Sequence, residues 1–430
     1  MKQTSIKVGK GIGNSPLTAQ SSAPHPSSLV SRPSFLNNIP QSYKELSAII
    51  ALKTQASFPK NESQSLDVLA YQMADMEFCN AALNKVSRSF AVVIQQLPPE
   101  LRNSVCIFYL TLRGLDTIED DMNLPLDKKL DLLHNFHKHC GNEQLRLQNI
   151  GDSEHYRHLL LHYYKVARAF NSLGEKYQQV IADITRKMGE GMAHFAQHDL
   201  KTKADYDLYC HYVAGLVGYG LSGLFSASGY EDFRLKHQLE ISNAMGLMLQ
   251  KTNIVRDYNE DMLQGRIFWH QEVWQKYAAS FDWFAQNSKN NLSLSCLNEM
   301  VCDSLQHLPE CIAYLQILKN PDVFRFCAIP QVMAVATIAE VYNNPDVFTG
   351  VVKIRKPLAA KMMVYTNTLQ DAGTFMLEAL AKIESKTSAS TPFATQILKA
   401  VETAKSTILK PSNYEWKELK EPTLEQVVFF

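Results

Sequence analysis

From about residue 65 onward, segment after segment places apolar residues at i, i+3, i+4 and i+7, separated by short polar breaks such as LPPE (97–100), KNPD (319–322) and NNPD (343–346). This spacing keeps apolar side chains on one face of a 3.6-residue turn and predicts amphipathic helices. No sustained apolar–polar alternation predicts a strand, and no self-similarity at 20–50 residues predicts a solenoid. The expected fold is all-α, a single helical domain over residues 65–385. Residues 1–64 differ in texture. Their first 40 are rich in Ser, Pro, Gly and Asn, and no acidic residue precedes Glu45. Such a stretch buries too little apolar surface to fold alone, so a partly disordered extension is expected, with a targeting segment as the sharper alternative. Beyond residue 385, SKTSASTPF reads as a linker leading to a short helix and a polar tail ending in EPTLEQVVFF. That ending is either an ordinary tail or the beginning of a hydrophobic anchor.

Composition narrows the function classes. Lys plus Arg and Asp plus Glu are 43 each, so no bulk charge favours nucleic acid and any charge that matters is local. The eight cysteines form no CxxC pair and mostly sit in apolar helical contexts, as in SVCIFYL and FRFCAIP, which predicts reduced core thiols. No run of 18 or more apolar residues predicts a spanning helix.

Two acidic clusters carry the chemistry. In CIFYLTLRGLDTIEDDM (106–122), a helix would put Tyr109, Arg113, Asp116 and Asp120 on one face, with Glu119 beside them. Like charges at this spacing repel and the carboxyl end of a helix disfavours anions, so a bound cation is expected; oxygen ligands suit Mg2+. The bland alternative is a solvated helix end. In MGLMLQKTNIVRDYNED (245–261), Gln250, Asn253, Asp257 and Asp261 fall in one polar stripe among apolar neighbours, which predicts a face turned toward an internal cavity. Lys251, Arg256 and Arg266 are nearby cations suited to phosphate oxygens. Facing each other, the two clusters would hold several Mg2+ ions around a diphosphate and neutralise it as a C–O bond ionises.

These residues resemble the squalene synthase family. The segments SRSFAVVIQQLP, CIFYLTLRGLDTIEDDM, EKYQQVIADITRKMGEGM, YCHYVAGLVGYGLSGLFSAS, LQKTNIVRDYNED with GRIFWHQEVW, FRFCAIPQVMAVAT and GVVKIRK follow the family's order between about residues 68 and 370. The resemblance implies the isoprenoid synthase fold and a two-step reaction. Two farnesyl diphosphates condense head to head to presqualene diphosphate, which NADPH then reduces to squalene, the first committed step of sterol biosynthesis. It implies Mg2+ on Asp116, Glu119, Asp120, Asp257 and Asp261, proton handling by Tyr212 in the first step, and Phe326 in the second-step pocket. Ser87, Arg88, Arg113, Gln250, Asn253, Arg266 and Gln331 are the implied substrate contacts. With no GxGxxG after a strand, NADPH is assigned by the resemblance to Arg88, Arg113, Arg256, Lys353 and Arg355.

Gly215 and Gly218 each weaken a helix by about 1 kcal/mol relative to Ala. They are expected where a helix opens or approaches a prenyl chain. The resemblance further implies a monomer at the cytosolic face of the endoplasmic reticulum membrane, provided the chain continues into an anchor. The rivals are an enzyme stopping at presqualene diphosphate or making a non-reduced C30 product, a non-catalytic scaffold, and a terpene cyclase. Both acidic motifs and the basic cluster argue against them.

Overall fold

The computed structural model describes residues 74–87, 90–410 and 414–417. The expected extension at 1–64, the residue Arg88 and the last residues of the tail lie outside these described residues. The first principal helices are α1 (Asp75–Val86), α2 (Pro99–Asp120), α3 (Glu175–Phe195), α4 (Lys203–Cys210), α5 (Leu216–Ser228) and α6 (Leu239–Arg256). They are followed by α7 (Tyr258–Leu263), α8 (Asn291–Leu305), α9 (Leu308–Ile317), α10 (Pro321–Val341), α11 (Leu369–Ser385) and α12 (Ala394–Leu409). Among the described residues there is no strand.

The polar breaks are also helix starts. Pro99 and Pro321 occupy first-turn positions, where a missing N–H costs nothing. At KNPD, Asn320 Oδ1 accepts from the Asp322 and Val323 amides at 2.9 and 3.2 Å, capping α10.

Helix α6 is the centre of the bundle. It packs against α5, α8, α9 and α10, while α3 lies against α2 and α5. Its buried residues point in every direction, Ile241, Ser242, Gly246 and Leu247 among them, as expected of a helix enclosed on all sides. Helix α10 is long and apolar enough to cross a bilayer by length and composition, but it is largely buried inside the bundle.

The crossing of α5 and α6 is made by missing side chains. A Cβ on Gly246 would sit 2.1 Å from the Ala214 carbonyl oxygen, and one on Gly218 would sit 2.0 Å from the Ser242 carbonyl oxygen. The close approach expected at Gly218 is therefore to protein backbone, not to a prenyl chain.

Of residues 386–430, expected to be linker and tail, the described part contributes to the core. In α12, Ile397, Val401 and Ala404 are buried, and the helix packs on α8, α9 and α11. Further on, the Tyr414 hydroxyl and the Lys417 amide both donate to Gln238 Oε1, at 2.9 and 3.2 Å, and Arg234 stacks on Trp416 at 4.4 Å. The chain thus straps down the start of α6.

All eight cysteines are unpaired, and all but the half-buried Cys302 are buried. Burial pushes the Cys106 and Cys140 thiols up to about 12 and Cys302 to about 11.

Replacing Gly246 by Ala drives a methyl group into a backbone that cannot yield. Overpacking of this kind costs about 1–3 kcal/mol, and the expected result is a clearly lower melting temperature by circular dichroism. An unchanged melting temperature would contradict the close crossing.

Candidate active site

The first acidic motif closes α2, where unpaired carbonyls already carry partial negative charge. Two cations offset this. Lys129 is buried and donates its ammonium to the Glu119 carbonyl oxygen at 2.7 Å, capping the last turn. Arg113 pairs with Asp116 at 3.3 Å and lies between the rings of Tyr109 and Tyr156, 5.6 Å from each centroid. Asp121 is committed to structure, accepting from the Asn123 and Gly151 amides at 2.9 and 2.8 Å.

The second motif is not one continuous helix. Helix α6 ends at Arg256, and Asp257 (φ −93°, ψ 13°) joins it to the short α7. The expected single stripe therefore bends at Asp257. An aromatic cage holds the bend: the Tyr258 hydroxyl donates to the Phe281 carbonyl at 2.6 Å, and the Trp269 indole N–H donates to the Ile254 carbonyl at 3.2 Å. Arg256 grips Asp257 through both guanidinium branches, Nε at 2.7 Å.

Gly265 ends α7 in the left-handed region at φ 74°. Its amide bonds to the Met262 carbonyl at 3.1 Å, and the Arg266 amide bonds to the Asp261 carbonyl at 2.9 Å, the Schellman arrangement. This reversal sends the Arg266 side chain back over the site. Its Nη1 reaches Asp120 at 3.0 Å and its Nη2 reaches Asp261 at 2.9 Å. One guanidinium thus bridges two motifs that lie about 140 residues apart in the chain.

Burial dominates the electrostatics. Desolvation raises Asp116 and Asp261 to about 6; Arg113 and Arg266, respectively, oppose the shift, and neighbouring carboxylates add to it. Asp116 keeps about a quarter of its side-chain surface exposed, so solvent tempers its shift. Glu119 and Asp120 are raised by the same cause, and the Glu119 carboxylate has no ion pair among the described residues. These are hard oxygen donors short of positive charge, which suits Mg2+. Among the described residues, no three His, Cys, Asp or Glu side chains gather closely enough to cage a metal by themselves.

Beside this site lies a cavity of about 310 Å³. Its walls include Phe90, Leu249, Pro330 and Met333, and its polar lining is Thr252, Asn253, Arg256, Thr337 and Lys353. Phe90 and residues of three other segments quoted from the sequence, NIVR, AIPQ and VVKIRK, therefore meet around one space. Pro330 sits inside α10 and lacks the N–H that would bond the Phe326 carbonyl. Phe326 itself is buried, edge-on to Phe225 at 5.9 Å.

The remaining expected residues divide. Arg256 and Lys353 line the cavity together; Arg355 is exposed on the adjoining segment, and Arg113 belongs to the first acidic motif instead. Gln250 is half-buried and Asn253 opens to the cavity. Buried Gln331 donates to the Met245 carbonyl at 2.8 Å, tying α10 to α6 and leaving Oε1 without a partner among the described residues. The Ser87 hydroxyl is likewise buried and unpartnered among them.

Lys251, expected to meet phosphate, is fully buried between Asp207 and Asp303 at 2.6 Å each. A buried ammonium requires such pairing, so Lys251 braces the core and is unavailable to ligand.

Tyr212 lies in a π-turn, His211–Gly215, with its ring over the bare backbone of Gly191 on α3. Single π-turns inside helices recur at functional sites. Sequence reasoning missed Lys129, Tyr156, which flanks Arg113 opposite the expected Tyr109, and Tyr209, whose hydroxyl is raised by burial and by nearby Glu119 and Asp120. Only the (i, i+3) step from Tyr206 to Tyr209 and on to Tyr212 hinted at the last.

The bundle is that of the isoprenoid synthases. The profile of the Squalene/phytoene synthase family matches residues 83–357. Squalene synthase from Homo sapiens is 45% identical over 348 residues, 81% of this chain and 82% of the relative. Squalene synthase from Nicotiana benthamiana is 47% identical over 328 residues, 76% and 79% of the two chains. A solved complex of TcSQS with a ligand superposes with a TM-score of 0.76 at 44% identity, covering 78% of this chain and 98% of that one. The chain belongs to the squalene/phytoene synthase family.

Two outcomes are expected at this site. The Arg266→Ala protein loses the shared counter-ion of Asp120 and Asp261, so its metal-free melting temperature falls and added Mg2+ raises it more than in the parent. Equal Mg2+ shifts in a thermal melt would refute the bridge. Carboxylates raised by burial bind protons more tightly folded than unfolded, so they destabilise the metal-free protein fully above about pH 6, and the effect is gone below the unfolded value of 3.8. Those protons must leave before a cation binds. Calorimetric Mg2+ affinity is therefore expected to fall as pH drops through about 6.

Proposed function

We propose that the chain condenses two farnesyl diphosphates to presqualene diphosphate and reduces that product to squalene. The observation that carries this reading is the meeting of the two acidic motifs under Arg266, beside an apolar cavity edged by Arg256 and Lys353.

The residues supply the following. Asp116, Glu119 and Asp120 on one side and Asp257 and Asp261 on the other would hold Mg2+. When bound, Mg2+ neutralises the departing diphosphate. Arg266 and Arg113 remain as guanidiniums within reach of phosphate oxygens, Arg266 exchanging its carboxylate partners for them. In the first step the C–O bond of one farnesyl donor breaks with its electron pair leaving on diphosphate, the double bond of the other farnesyl chain forms a new carbon–carbon bond, and loss of one proton lets the C–H pair close the cyclopropane ring; Tyr212 is the group assigned to carry that proton.

The second step ionises the cyclopropyl diphosphate. The apolar cavity walls exclude water; Phe326, which packs on Phe225 and is not among the residues lining that cavity, is assigned by the resemblance to stabilise a cation through its aromatic face without attacking it. Arg256, Lys353 and Arg355, with Arg88, are the cations assigned to the phosphates of NADPH, which supplies the hydride when bound. The apolar product favours work at a membrane surface, and the expected location is the cytosolic face of the endoplasmic reticulum.

The test is incubation of the purified chain with farnesyl diphosphate and Mg2+, with and without NADPH, reading products by mass spectrometry. Squalene only with NADPH is expected. Presqualene diphosphate or a dehydrogenated C30 alkene in both reactions would remove the reductive half. In the same assay Phe326→Ala is expected to accumulate presqualene diphosphate; equal loss of both steps would remove Phe326 from the second pocket.

A further inference from the structure

One polar pair inside the helical crossing is unaccounted for by packing or by the proposed mechanism. His211 Nδ1 lies 2.7 Å from Asn243 Oδ1, joining the π-turn to α6. An amide oxygen only accepts, so the imidazole Nδ1 carries the proton and donates it. In the neutral ring this leaves Nε2 unprotonated.

The crossing is shaped around this pair. A Cβ at position 215 would lie 1.9 Å from Asn243 Oδ1 and 2.9 Å from His211 Nδ1, so Gly215 preserves the room the hydrogen bond occupies. The same histidine anchors the turn through its backbone, because the Leu216 amide donates to the His211 carbonyl five residues back. A π-turn is less favourable than the α-helix it interrupts and needs outside support. Here the support comes from Asn243, and the residue after the clamped histidine is Tyr212. Its ring is held by Gly191 on one side and lies 6.3 Å from Phe195, which in turn meets Tyr209 beside the first acidic motif.

We propose that the His211–Asn243 hydrogen bond is a positioning clamp: it maintains the π-turn and thereby fixes where Tyr212 presents its hydroxyl. His211 and Asn243 act through Tyr212. The functional half of this inference rests on the role given to Tyr212 above; the structural half does not.

Two measurements on the full chain test it. Two-bond nitrogen–proton NMR of histidine-labelled protein, with His211 identified by its loss in His211→Gln, is expected to show the neutral Nδ1–H tautomer in the parent. In Asn243→Leu, Nε2–H is expected to gain. For kinetics, Asn243→Ala is expected to lower kcat for presqualene diphosphate formation by about tenfold or more with KM little changed, since small misplacements of a reacting group are costly. Asn243→Asp keeps the acceptor and is expected to recover most of that loss. In a Tyr212→Phe background, Asn243→Ala is expected to add almost nothing. An Nε2–H tautomer in the parent overturns the clamp, and so does full multiplicativity of the two substitutions. Full activity in Tyr212→Phe would instead refute the proton-handling role, with the tautomer still deciding the clamp.

Discussion

The two acidic motifs repel each other, and a single guanidinium holds them together. Carboxylates brought close in a poorly solvated cleft cost several kcal/mol unless a cation stands between them. Arg266 is that cation, and much of the neighbouring structure serves to place it. Gly265 reverses the chain at the end of α7, the Trp269 indole pins the following loop to α6, and the Tyr258 ring fills the space behind the bend. On the opposite side, Lys129 closes the carbonyl end of α2, so Asp120 meets Arg266 without the full burden of the helix terminus. On the proposal that Mg2+ binds here, the metal would compete for the same oxygens, and the Arg266 bridge would hold the two motifs together until a metal–diphosphate complex replaced it.

Helix α6 gathers most of the remaining dependencies. Its first turn is strapped by the segment around Tyr414, its middle crosses the π-turn through Asn243 and Gly246, and its last turn carries Asn253 and Arg256 into the cavity. The buried Lys251 locks it against Asp207 and Asp303. A shift along this one helix would therefore move the second acidic motif and the cavity wall together.

The helical character of the chain was legible from periodicity, and the two carboxylate clusters from their spacing, because both are local properties. The kink at Asp257 was not, since nothing in NIVRDYNED breaks a helix; the aromatic cage that bends it comes from Trp269 and Phe281, brought in by tertiary packing. Lys251 looked like a phosphate ligand for the same reason, since its partners lie 44 and 52 residues away. Residues 394–409 read as periphery because the SKTSASTPF break precedes them, yet Ile397, Val401 and Ala404 dock the helix. The meeting of Phe90 with NIVR, AIPQ and VVKIRK around one cavity is a long-range fact that the family resemblance hinted at and periodicity could not.

The sequestered thiols have a practical consequence. A thiol whose pKa stands near 12 is almost wholly protonated at neutral pH, and alkylating reagents attack the thiolate. Seven of the eight also lie out of reach of solvent, spread from α1 to α10. Apart from Cys302, each can react only when its part of the bundle opens, so the rate of labelling at each cysteine measures how often that region unfolds. The protein carries a set of built-in clocks for local opening, distributed through the core and readable by mass spectrometry without altering a residue.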